Sequence, residues 1–140
     1  MTARRMVQPE EGRAALAAAL AGVRGAQVAS SAATDDPVDT AGACLDRATL
    51  RTAVRYTLQL LAARAPGHSV EVRVPPLAAI QAIPGPAHRR GTPSAVVEMS
   101  PSTWLLLATG DLSWDQAHRS GLVRASGERA DLTAWLPLAP

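Results

Sequence analysis

Pro66-Gly67 separates two hydrophobic periods, and this switch constrains the fold more than any other feature of the chain. Ahead of it, Leu50, Ala53, Val54, Leu58 and Leu61 recur at helical spacing after Asp46, a residue suited to an N-cap, so one amphipathic helix is predicted up to Ala65. Behind it, Val70, Val72 and Val74 alternate with Glu71 and Arg73, the period-2 pattern of a strand with one buried face. Such a chain has to pack helices on a sheet. At 140 residues and 47% hydrophobic content it is long enough for one domain with a core. That core has no Phe, and Tyr56, Trp104, Trp114 and Trp135 are its only aromatics, so Ala, Leu, Val and Ile must build most of it.

Toward the N-terminus, Pro9 in a first-turn position, the acidic Glu10 and Glu11, an apolar face of Leu16, Leu20 and Val23, and Gly25 as a stop predict a first helix. The stretch has a superficial likeness to a secretory signal, but Glu10, Glu11 and Arg13 interrupt it and its apolar part is mostly Ala. No apolar run approaches the ~20 residues that span a bilayer, so a soluble chain without stable membrane insertion is expected. Ala26 to Cys44 shows neither period and reads as a linker or extended surface segment, dispensable for the fold. The chain is thus divided into an N-terminal helix and linker over 1–45 and a domain over 46–140.

Beyond Val74, Pro75-Pro76 places the chain at a sheet edge or bend, Leu77 to Ile83 resumes as a second strand, and Ala95 to Met99 makes a third after a breaker-rich loop. An antiparallel meander is the economical arrangement. Ser100-Pro101 and Gly110 bracket a helix that includes Trp104 to Ala108, and Ser113 with Gln116 fits a capping box opening another helix to about Gly121. Leu122 to Ser126 reads as a short strand, and Leu132, Trp135 and Leu136 as one face of a final helix stopped by Pro137. The class is α+β with helices packed on one sheet.

All 14 basic residues are Arg and the pI is about 9.5, yet the net charge is only +2, so a nucleic-acid partner is not expected. Lone Cys44 excludes an intramolecular disulfide and a CxxC pair, which fits a reducing, cytoplasmic setting. His68, His88 and His118 lack the spacing that puts two metal ligands on one helix face, so no metal or other cofactor is expected. No GxSxG elbow, P-loop or GxGxxG occurs, and no catalytic residue is assigned. Three charged features have a functional and a solvated alternative: Glu71 and Glu98 as a facing carboxylate pair, His88-Arg89-Arg90 as an anion-holding loop tip, and Arg47, Arg51 and Arg55 as a stripe attracting an anionic ligand or membrane surface.

The run from Thr103 and Trp104 through Gly110, Leu112, Ala117, Gly121, Val123, Ser126 and Gly127 resembles the C-terminal signature of the sterol-carrier-protein family: a helix ending in Gly, a second helix with a buried Ala, Gly, a short strand, then Gly and a closing helix. The stretch from Val54, Tyr56 and Leu61 through Val70 to Pro75 resembles a small actinobacterial branch of that family. The likeness spans roughly 46 to 138. It implies a sterol-carrier-protein-like, mostly antiparallel twisted sheet of about five strands with helices on one face, enclosing an apolar tunnel for acyl chains, sterols or other hydrophobic molecules. A similar fold forms the C-terminal part of mycothiol-dependent maleylpyruvate isomerases, whose metal-binding histidines lie in an N-terminal bundle that this chain does not match.

Leu105, Leu106 and Leu107 make a helix apolar around much of its circumference, which requires full burial or a place in a cavity wall. The expected function is non-enzymatic binding or transfer of a hydrophobic small molecule, with Trp104, Leu105, Leu112, Val123, Leu132 and Leu136 lining or gating the site. The alternatives are an accessory interaction or homodimerisation module without a ligand cavity, and a partner of a thiol-dependent isomerase-like enzyme.

Overall fold

The computed structural model describes residues 5–30, 46–85, 95–127 and 130–138. Helix α1 spans Pro9–Ser30, with proline in its first turn and Glu10 and Glu11 beside the positive end of the helix dipole. Gly25 does not end it, and the helix continues into the segment expected to be linker. A helix-interior glycine costs only about 1 kcal/mol against alanine, and Leu16, Ala19, Leu20 and Val23, all buried, dock the preceding turns on helix α2 (Arg47–Arg64). The docking is close at Gly12, where an added Cβ would overlap the Tyr56 ring.

Asp46 caps α2, its carboxylate accepting from the Thr49 amide at 3.4 Å and the Thr49 hydroxyl at 2.9 Å. These bonds, largest from the Thr49 side chain, hold the Asp46 carboxyl below its ordinary range. Strands β1 (Val70–Val74), β2 (Ala78–Ala82), β3 (Ala95–Met99) and β4 (Val123–Ser126) form one sheet in the order β2-β1-β3-β4. The described residues thus supply four strands rather than about five. Two pairings are antiparallel, β1 with β2 and β3 with β4, but β1 and β3 run parallel, with Val72 opposite Val97. This corrects the expected meander, which would have put β3 beside β2.

Burial explains which strands are central. The inward residues of β1 and β3, namely Val70, Val72, Val74, Ala95, Val97 and Met99, are all buried, whereas Ala78 and Ile80 on the β2 edge are half-exposed. Parallel pairs favour such covered positions. Helix α3 (Pro101–Thr109) begins at the expected Ser100 cap with Pro101 in its first turn, and ends at Gly110, whose φ of 85° is the left-handed conformation that favours glycine. Helix α4 (Trp114–Arg119) carries the expected capping box of Ser113 and Gln116.

Among the described residues the expected final helix is absent. Leu132 instead starts a single turn, its carbonyl accepting from the Trp135 and Leu136 amides at 3.0 and 3.2 Å. One turn fixes many dihedrals for few bonds, and Pro137 disfavours helical backbone at Leu136, so the turn does not propagate. Arg64 at the end of α2 holds this tail in place, donating to the carbonyls of Trp135 at 3.1 Å and Pro137 at 2.6 Å.

Candidate functional site

The six residues expected to line a site belong to one apolar cluster around α3. Trp104, Leu105 and Leu132 have no exposed surface, Val123 is buried at the β4 end, and Leu112 and Leu136 pack against the cluster half-exposed. Every residue of α3 from Ser102 to Ala108 is buried, which accounts for its lack of a polar face. The Trp104 indole N–H donates at 2.7 Å to Thr57 Oγ1 on α2, and the Thr57 hydroxyl lies 2.8 Å from the Ala53 carbonyl. One hydroxyl thus accepts from the indole while donating to its own helix.

The outer face of the sheet carries the charges. One cleft of about 530 Å³ is bordered by Arg73, Val96, Glu98, His118, Val123 and Arg124 among others. A second, of about 380 Å³, shares Arg73 and Glu98 with it and adds Glu71 and the Pro75 to Ala79 turn. Of the six expected site residues, Val123 borders the first of these clefts and the other five border neither. Glu71 and Glu98 do not form a facing carboxylate pair, because the parallel register sets Glu98 opposite Arg73 and Glu71 opposite Val96. Arg73 grips Glu71 in a fork of 2.8 and 3.3 Å. The guanidinium is held above its ordinary value first by this hydrogen bond and then by the Glu71 charge, with a smaller effect from Glu98. Alternating charges of this kind partly neutralise one another.

His68 meets Gln81 at 2.9 Å, and His118 borders the larger cleft. Among the described residues no group of three or more His, Cys, Asp or Glu is placed to hold a metal ion. Cys44 and the tip His88-Arg89-Arg90 lie outside the described residues.

A third cleft, about 230 Å³, lies between α2 and the β2 edge. Arg55, Leu58, Gln59 and Ala62 form its helical wall, positions spaced to share one face of α2, while Ala78 and Ile80 supply the strand side. Arg5 and Met6 complete it. They belong to a short N-terminal strap fixed by α2 side chains. Gln59 Oε1 accepts from the Val7 amide and its Nε2 donates to the Val7 carbonyl, both at 3.0 Å, and Arg55 Nη2 donates to the Arg5 carbonyl at 2.7 Å. Met6 is 65% exposed, the one large hydrophobic side chain left so open among the described residues. Sequence reasoning placed Arg55 in a charged stripe and Leu58 on the apolar face of the helix but missed the groove: Gln59 sits 52 positions from the backbone it clasps, and no local period announces that contact.

A protein-family model, the bacterial SCP (sterol carrier protein) ortholog, matches residues 46–138, about two thirds of the chain. No curated protein matches it. Arg5 and Met6 of the strap therefore fall outside the matched stretch, while the helix and strand walls of the groove fall within it. Among the described residues no helix is long and apolar enough to cross a membrane.

Proposed function

The chain belongs to the bacterial SCP-ortholog family, and on that premise we propose that it binds and carries a hydrophobic small molecule without chemically changing it. The observation that carries this reading is the groove between α2 and the β2 edge, where Met6, Ala62, Ala78 and Ile80 present apolar surface over the buried Leu58, with Arg5, Arg55 and Gln59 as the polar residues of the lining. At about 230 Å³ it lies below the range of drug-sized pockets. It suits one alkyl chain better than a fused ring system. A tail entering more deeply has to displace packed side chains before it reaches Trp104, Leu105 or Leu132, a costly step in a close-packed interior. The six residues around α3 are proposed as the apolar core that such a tail would enter, Leu112 and Leu136 being its half-exposed members and Val123 lying on β4 at the opposite sheet edge.

Titration with a neutral apolar fluorophore, diphenylhexatriene, tests the carrier reading. Saturable binding at one site per chain is expected, with loss in Ile80→Trp, which fills the groove from the strand side, and an unchanged melting temperature. Absence of saturable binding to the wild type overturns the reading. The alternative of an association module then becomes the better one, favoured by the outer sheet face that the described residues leave open at the cleft bordered by Arg73, Glu98 and Arg124. A concentration-dependent sedimentation coefficient is its signature.

A further inference from the structure

We propose that the groove selects amphiphiles with a single chain and an anionic head, the carboxylate or phosphate being held by Arg55 together with Arg5 of the N-terminal strap. This rests on the carrier reading and adds to it the charge of the ligand and the place of its head. Both arginines line the groove together with Gln59 and the apolar residues. Helix α2 contains Arg47, Arg51, Arg55 and Arg64 and no acidic residue, and among the described residues no carboxylate pairs with Arg5, Arg47, Arg51 or Arg55. Arg55 spends one N–H on the Arg5 carbonyl. A guanidinium has five N–H donors in a planar fork, so donors remain for a carboxylate or phosphate oxygen.

The stripe is directional. Arg47, Arg51 and Arg55 follow at four-residue steps along one face of α2, and the same face continues as Leu58, Gln59 and Ala62 in the groove wall. Positive charge therefore leads an anion to the end of the groove where Arg55 stands, and the apolar surface begins one turn beyond. A neutral amphiphile of equal chain length gains the apolar contact and none of the charged one. Arg47 and Arg51, outside the groove lining, raise the local anion concentration without holding the head. Because the strap is pinned by Arg55 and Gln59, the same guanidinium that meets the head also keeps Arg5 beside it.

The test compares oleate with oleyl alcohol, equal in chain length and different in charge, each displacing diphenylhexatriene from the full chain. Oleate is expected to bind at least about tenfold more tightly, the scale of one charge-assisted hydrogen bond, with the preference shrinking as salt rises. Arg55→Gln and Arg5→Gln should each lower oleate affinity severalfold and leave oleyl alcohol unchanged. The double variant should abolish the preference. Dodecyl phosphate and dodecanol repeat the comparison with the other head. If both members of each pair bind equally and the variants change neither, the head site is wrong and the carrier reading survives. If the fluorophore and all four amphiphiles fail to bind, the carrier reading itself has failed. A variant with a lowered melting temperature is replaced by Arg55→Lys, which keeps the charge and loses the fork. Intermediate oleate affinity in that variant supports the proposal, and oleate affinity equal to that of the wild type overturns the role given to the Arg55 guanidinium.

Discussion

The Trp104 indole N–H meets the Thr57 hydroxyl at 2.7 Å with both side chains fully buried, so the one polar atom of the largest core side chain is satisfied by a helix 47 residues earlier. Thr57→Val keeps the shape and removes the acceptor. Leaving a buried donor unpaired costs about 1–3 kcal/mol, and this loss is expected in urea unfolding with the slope unchanged. Thr57→Ser, which keeps the hydroxyl, should cost less. Equal stability for Val and wild type would show that the indole finds another partner.

Gly12 gives the clearest steric prediction. An alanine in a helix usually gains about 1 kcal/mol over glycine, yet here its Cβ would overlap the Tyr56 ring. Gly12→Ala should therefore destabilise, by about 1–3 kcal/mol as overpacking does. In the Gly12→Ala, Tyr56→Ala double variant the two losses should be less than additive, because the second change removes the obstacle created by the first.

Removal of residues 1–45 tests how far the remainder stands alone. Leu16, Leu20 and Val23 are buried against the rest of the molecule, and each contributes roughly 1.5–3 kcal/mol as an upper estimate. Their sum is comparable to the ~5–15 kcal/mol stability of a typical domain. The 46–140 fragment is expected to unfold at a much lower temperature than the full chain, with a shallower calorimetric transition.

The tail is predicted to depend on one guanidinium. Arg64 donates to the carbonyls of Trp135 and Pro137, and nearby the Leu138 amide donates to the Ala108 carbonyl at 2.8 Å. Arg64→Lys keeps the charge and loses the planar fork. Amide exchange at Leu138 should accelerate in this variant while exchange at Val72 and Val97 stays slow, since only the tail opens.

The Asp46 cap should be visible in acid. Its folded pKa is lowered by the Thr49 side chain first and then by the Thr49 and Ala48 amides. A depressed carboxylate contributes stability that is fully present above its unfolded value of about 3.8, and this is lost as pH falls through the lower folded value. Asp46→Ala should therefore be less stable than wild type at pH 7, and the gap should narrow below about pH 3.8. A gap independent of pH would assign the cap's effect to the uncharged acceptor.

What the sequence determined by itself was local. Asp46, the Ser100, Pro101 and Gly110 bracket, and the Ser113 and Gln116 box act through atoms within a few residues, so their spacing alone predicted three helices. The alternation of Val70, Val72 and Val74 did the same for β1. Gly25 and the Leu132 to Leu136 face misled because a weak stop yields to a docked helix face and a short apolar period cannot by itself nucleate a helix. Tertiary structure alone decided the parallel pairing of β1 and β3, since a period of two is satisfied by either neighbour and only the competition for the buried centre chooses between them. It also decided the groove. Arg55 and Gln59 look like solvated helix positions until a strap 50 or so residues away comes to rest on them, and the surface that results exists only when helix, strand and strap are assembled.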